Sequence, residues 1–202
     1  MRVIELFKSL QGEGKRQGAP CIFIRLAGCN LRCSWCDTAY AWAEGEEMST
    51  GEILDLVWRL CGTRICITGG EPLLQRAPLL ELLEKFDVHG YSVEIETNGT
   101  LDFRDMQQYA SICMDVKCPS SGETSNLDLL KDITPRDSVK FVVADLDDCR
   151  YAQAVISHYD IRGEIFISPV AGSDYLAVAQ YILDQNLPVR FQLQLHKIIG
   201  VK

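Results

Sequence analysis

The sequence predicts an α/β fold: an open, partial (βα) TIM-like barrel of about six parallel strands, built as a single domain over residues 1–202. Three observations lead there. Short β-rich apolar runs alternate with segments of helical periodicity, the pattern of right-handed βαβ units around a parallel sheet. The unusual polar motifs fall directly after the strand-like runs, as they do where C-terminal strand ends form one mouth. At 202 residues the chain is too short for a closed eightfold barrel, which takes ~250.

Residues 2–8 read as a strand leading into a loop over 9–18, whose glycines at 12, 14 and 18 let backbone approach a ligand. Residues 21–26 form the first core strand, which delivers Gly28 and a cysteine-rich loop from its C-terminal end. Ser49 and Glu52 make a capping box for a helix with Ile53, Leu54, Val57 and Leu60 on one face. The β-rich run 64–68 ends at Gly69-Gly70, and a second helix over 77–86 carries a leucine stripe. Residues 91–96 are the third strand, ending in Thr97-Asn98-Gly99; a short helix near 103–109 then precedes a strand over 111–115. A strand over 139–143, a helix over 147–159, a strand over 164–168, a helix over 174–185 and a strand over 189–195 follow. No internal repeat, low-complexity tract or linker divides them.

Composition bounds the function. A hydrophobic content of 47% with 24% charged residues is that of an ordinary globule with a real core. A net charge of −8 argues against direct nucleic-acid binding, because phosphate contacts need a basic surface. The first seven residues hold no apolar signal core and no run reaches membrane length, so the expected location is the cytoplasm, with no membrane partner.

Nine cysteines are many for such a chain. Cys21, Cys66 and Cys113 lie in strand-like runs and Cys61 and Cys149 in or beside helical ones, so packing is their default role; Cys118 follows Lys117 at a strand end. The remaining three differ. Cys29, Cys33 and Cys36, at CxxxCxxC spacing among Asn, Arg, Ser and Asp, fit one short loop whose thiolates can converge on one inorganic centre. A zinc site would want a fourth Cys or His at a second hairpin, typically another CxxC or HxxxH, and no such pattern appears in the rest of the sequence. A disulfide does not suit a cytosolic chain. An iron-sulfur cube held by three thiolates leaves one iron open for chemistry.

With Trp35 directly before its last cysteine, this loop resembles the radical S-adenosylmethionine (SAM) superfamily, and Thr68-Gly69-Gly70-Glu71-Pro72 resembles that superfamily's second signature. The segments Ser9-Leu10-Gln11-Gly12-Glu13-Gly14, Cys36-Asp37-Thr38, Glu96-Thr97-Asn98-Gly99 and Gln194-Leu195-His196-Lys197 narrow the resemblance to the 7-carboxy-7-deazaguanine synthase family, over nearly the whole chain. The resemblance implies that Cys29, Cys33 and Cys36 hold a [4Fe-4S] cluster whose open iron chelates SAM. Ser34, Trp35, Cys36, Asp37, Gly70, Glu71, Asn98, Lys117, Ser168 and Ala171 would surround SAM, Glu71 as an acceptor for its ammonium. Thr38 would bind Mg²⁺, a hard ion that accepts a single protein oxygen when substrate and water supply the rest.

The implied substrate is 6-carboxy-5,6,7,8-tetrahydropterin, contacted by Leu10, Gln11, Gly12, Glu13, Arg25, Thr68 and His196, with the Lys202 carboxylate folded back onto the ring. Arg25 suits a bidentate grip on the substrate carboxylate; its structural alternative is a strand ion pair. The implied reaction is a radical ring contraction with loss of ammonia, a carbon-nitrogen lyase step of 7-deazapurine biosynthesis on the way to queuosine or archaeosine. It would be fed by an external electron donor of the flavodoxin or ferredoxin type and run in a homodimer. Rival readings are a glycyl-radical enzyme activase, an iron-sulfur electron carrier and a zinc-stabilised binding module.

Overall fold

The computed structural model describes residues 1–202. One nine-stranded sheet runs β3-β1-β2-β4-β5-β6-β7-β8-β9 across the molecule. Its strands are β1 (Arg2–Leu10), β2 (Pro20–Leu26), β3 (Glu46–Glu47), β4 (Arg64–Gly69), β5 (Ser92–Thr97), β6 (Ala110–Val116), β7 (Ser138–Val143), β8 (Glu164–Pro169) and β9 (Arg190–Phe191). From β2 through β9 every pairing is parallel; β1 returns antiparallel onto β2, and β3 onto β1. Six full strands are thus parallel as expected, with β9 a two-residue seventh. The sheet curls but does not close, since β9 and the β3-β1 edge do not pair.

Period-two alternation decides the layers. Ile22, Ile24 and Leu26, Ile65 and Ile67, Val93 and Ile95, Ile112 and Met114, and Val139, Phe141 and Val143 pack in one core with residues of α1 (Thr50–Arg59), α2 (Arg76–Val88), α3 (Leu146–His158) and α4 (Tyr175–Asp184). The intervening residues face the lumen, and many are polar: Arg25, Thr68, Glu94, Glu96, Asp115 and Lys140. Cys21, Phe23, Cys66 and Phe7 make a small apolar patch on that inner face. No helix is long and apolar enough to cross a membrane.

The capping box is present: the Ser49 side chain accepts from Glu52 N–H and the Glu52 carboxylate accepts from Ser49 N–H. Two expected elements are corrected. Residues 103–109 form turns rather than a helix, closed by Met106 and Tyr109 N–H groups donating three residues back. The expected strand over 189–195 pairs only at Arg190–Phe191; Gln192 continues with one bond to the Ile167 carbonyl, and Leu195–Ile199 is a short helix, α5. The reason is the open edge. Beyond Phe191 no further strand offers a ladder, and the chain turns over the lumen, tied by Leu195 N–H to the Gly12 carbonyl at 3.0 Å.

Candidate active site

The C-terminal strand ends surround a cavity of about 490 Å³. The loop from β2 brings Cys29, Cys33 and Cys36 to its wall as free, half-buried thiols. Two contacts hold the loop's base. Gly70 N–H donates to the Leu26 carbonyl at 3.1 Å and Glu71 N–H to the Gly28 carbonyl at 2.8 Å. A Cβ on Gly70 would overlap the Gly28 carbonyl oxygen and stand 2.9 Å from Cys29 Cβ, so only glycine lets the turn after β4 meet the cysteine loop. The Cys29 sulfur accepts from Leu31 N–H at 3.4 Å and faces Asn98 Nδ2 at 3.9 Å, while Cys36 Sγ and Thr38 Oγ1 lie 3.8 Å apart.

The loop's far side docks on the turn after β6. Ser34 N–H donates to the Ser121 carbonyl at 2.9 Å, and Trp35 Nε1 donates to Ser120 Oγ at 2.9 Å. Ser120 is in turn fixed by the buried Asp148, which accepts from its N–H at 3.0 Å and its hydroxyl at 2.5 Å. Lys117 Nζ sits 5.5 Å from the Trp35 ring centroid and pairs with Asp115 at 2.7 Å.

The opposite wall is the Leu10–Glu13 stretch with the tail beyond β9. Gln11 Nε2 donates to Glu96 at 3.2 Å and Glu94 at 3.4 Å; Glu96 also accepts from Thr68 Oγ1 at 3.0 Å and lies 3.5 Å from Cys66 Sγ. Burial, with Glu96 beside it, pushes the Glu94 carboxyl up to about 7. Glu13 pairs with Lys140 at 2.5 Å and accepts from Gln194 Nε2 at 2.8 Å. A Cβ on Gly12 would overlap the His196 ring, so this glycine makes room for the imidazole. His196 Nε2 lies 3.8 Å and Lys197 Nζ 3.0 Å from the Asp37 carboxylate. Burial would raise the Asp37 carboxyl, but these two partners override it and hold it well below the usual carboxylate range.

The structure brings most of the expected residues to this one cavity: Leu10, Gln11, Gly12, Glu13, Arg25, the three cysteines, Trp35, Asp37, Thr38, Thr68, Gly70, Asn98, Lys117, Ala171, His196 and Lys202 all line it. Three do not. The Ser34 side chain turns outward to donate to the Ser120 carbonyl at 2.6 Å. Ser168 is fully buried inside β8, its hydroxyl unpartnered, because the strand runs on to Pro169 before the chain reaches the cavity at Val170. Glu71 is fully buried, and its oxygens accept from Leu73 N–H at 3.0 Å, Thr97 Oγ1 at 2.9 Å and Asn98 N–H at 2.7 Å. Its carboxyl is pushed up by burial despite those donors. Through these bonds it joins the turns after β4 and β5.

Two expectations are refined. Arg25 donates through Nε to Glu5 at 2.8 Å, the strand ion pair, yet still lines the cavity. Lys202 lines the cavity, and its ammonium pairs with Glu5 at 2.5 Å and lies over the Phe7 ring. The sequence reading missed Glu96, Asp115, Lys140 and Gln194, all on the wall. Asp115 and Lys140 are each the polar member of an alternating strand, while Glu96 and Gln194 stand in segments that carry the family resemblance without a role of their own.

Residues 23–150 match the family model of the radical SAM superfamily. A 7-carboxy-7-deazaguanine synthase from Methanospirillum hungatei is 53% identical over 201 residues, covering 100% of this chain and 86% of that one. A protein of the same name from Koribacter versatilis is 37% identical over 218 aligned positions, covering 98% and 96%. Among solved structures, the crystal structure of QueE from Escherichia coli superposes with a TM-score of 0.74 at 25% identity, covering 96% of this chain and 94% of that one.

Proposed function

The chain belongs to the radical SAM superfamily and, within it, to the 7-carboxy-7-deazaguanine synthase family, and from that membership we propose that it converts 6-carboxy-5,6,7,8-tetrahydropterin to 7-carboxy-7-deazaguanine, with ring contraction and loss of ammonia. The observation that carries the reading is one cavity holding both the free CxxxCxxC thiols and the Gln11-Gly12-Glu13 and His196 segments.

The residues fit the implied cofactors. Cys29, Cys33 and Cys36 are free thiols on one loop, with Leu31 N–H and Asn98 Nδ2 already directed at the Cys29 sulfur, the outer hydrogen bonds a sulfur-ligated cluster uses. Trp35 would meet the adenine of SAM, with Gly70, Asn98, Lys117 and Ala171 on the surrounding wall. When bound, cluster and SAM supply a one-electron bond cleavage that yields a hydrogen-abstracting carbon radical beside the substrate.

The chain's own residues then orient and shield. Arg25 has its Nε committed to Glu5, so its guanidinium is fixed in place and its terminal nitrogens are left for the substrate carboxylate. Gln11, Glu13 and Glu96 offer acceptors to the amino-pyrimidinone edge, and Thr68 adds a hydroxyl. His196, held between Gly12 and Asp37, closes the wall and excludes water. The Thr38 hydroxyl, beside Cys36 at the wall, would give Mg²⁺ one protein oxygen, the substrate carboxylate and water completing the shell. An external electron donor and a homodimeric assembly complete the proposal.

The test is anaerobic turnover of the reconstituted enzyme with the carboxypterin, SAM and a reductant, with and without Mg²⁺. Formation of the deazaguanine product, stimulated by Mg²⁺ and less so in Thr38→Ala, is expected. SAM cleavage without that product would reject the substrate; equal rates with and without Mg²⁺ would reject the metal.

A further inference from the structure

The Glu13–Lys140 pair is a chord across the lumen. Glu13 sits on the loop after β1, at one side of the sheet, and Lys140 comes from β7, with four strands between. Both are buried, with side chains only 9% and 7% exposed. Gln194, from the tail beyond β9, donates to the same carboxylate at 2.8 Å. Three distant segments therefore converge on one charged group.

A buried ion pair is a poor device for stability, because desolvating both charges costs about what their attraction returns. An apolar pair would serve the fold as well. The pair instead leaves a charged carboxylate on the cavity wall, with two of its roughly four acceptor positions unused. Lys140 is also the counter-ion for a wall rich in acids. Lys117 is engaged by Asp115 and Arg25 by Glu5. Burial alone would lower the Lys140 pKa, but Glu13, Asp115 and Glu96 more than reverse this and hold it well above the ordinary value.

We propose that Lys140 is a positioning residue for substrate recognition: its ammonium fixes the Glu13 carboxylate in place on the wall, so that the acceptor positions left open receive N–H donors of the pterin. This rests on the reading of the cavity as a pterin site. Lys140 acts through Glu13, so its removal matters only while Glu13 is present.

The experiment measures carboxypterin affinity calorimetrically on the cluster-loaded enzyme with SAM and no reductant, so that no turnover occurs, and then KM and kcat. Four proteins are compared: wild type, Lys140→Met, Glu13→Gln and the double variant. Wild-type binding establishes the pterin reading by itself, and its failure would indict that reading rather than Lys140. Given wild-type binding, Lys140→Met is expected to weaken affinity on the order of tenfold or more, with KM rising and kcat changing little. The double variant is expected to bind no worse than Glu13→Gln alone. If Lys140→Met does not fold, the comparison of the double variant with Glu13→Gln carries the test, since the double variant removes both charges together. Unchanged affinity in Lys140→Met, or a double variant whose loss is the product of the two single losses, overturns the proposal.

Discussion

Replacing Glu71 by alanine separates two roles for the acid of the turn after β4. In the structure it is a keystone: its oxygens accept from two backbone N–H groups, Leu73 and Asn98, and from the Thr97 hydroxyl. Alanine orphans the two buried N–H groups at about 1–3 kcal/mol each. The hydroxyl can rotate, and relief of the buried carboxylate's desolvation offsets part of the loss, leaving about 2–4 kcal/mol. For a domain of this size that lowers Tm by roughly 5–15 °C. The assay is an anaerobic thermal melt of the cluster-free protein, followed by iron loading. Glu71→Gln should cost about half as much, because an amide keeps one acceptor and sets its NH₂ against the other donor. A cluster-free Glu71→Ala melting within 2 °C (~0.5–1 kcal/mol) of wild type, while binding SAM more weakly, would refute the keystone role and restore the ligand contact.

Three further expectations follow from the same geometry. Glu94, at about 7 against an ordinary 4.5, is favoured by the fold in its neutral form, so its contribution is present at acid pH and is lost as pH rises through that window. Urea melts should therefore find Glu94→Gln gaining ~2–3 kcal/mol on wild type between pH 5 and pH 8; parallel curves would contradict the assignment. Gly12→Ala drives a Cβ into the His196 ring and should raise the substrate KM, while the melt moves by less than about 1 kcal/mol because α5 lies at the surface; an unchanged KM would show that His196 stays clear of substrate. Cys33→Ala removes a half-buried thiol from the loop and should abolish cluster loading and SAM cleavage, with the cluster-free melt again within about 1 kcal/mol; retention of a full cluster would exclude Cys33 as a ligand.

Much of the fold was legible because parallel strands buried on both faces advertise themselves as apolar runs. The cysteine loop and the glycine turns were legible because each follows a strand and the topology carries strand ends to one mouth. What escaped was the lumen. Glu94 and Glu96 alternate with Val93 and Ile95, and Lys140 with Val139 and Phe141, a period of two that marks a polar inner face once the curl of the sheet is known. Nothing local says which face is lumen. The same alternation misled over 189–195, where the pattern continues through Leu193 and Leu195 but only Arg190 and Phe191 pair with β8. The bonds Glu71 makes escaped for a related reason: its partners across the fold, Thr97 and Asn98, come from the end of β5 and the turn after it.

The proposed cluster site asks iron to find three sulfurs among nine on this chain. Metal capture needs thiolate, and burial works against it: it pushes Cys21 up to about 12 and Cys149 up to about 11, raises Cys66, Cys113 and Cys118, and raises Cys33 of the loop as well. Cys61 stands exposed at the end of α1, ahead of β4 and so at the opposite pole from the mouth. On the proposed cluster site, accessibility rather than thiol acidity then separates the ligand set: packing encloses five sulfurs, leaves one at the far pole, and the loop after β2 alone offers three together at the mouth.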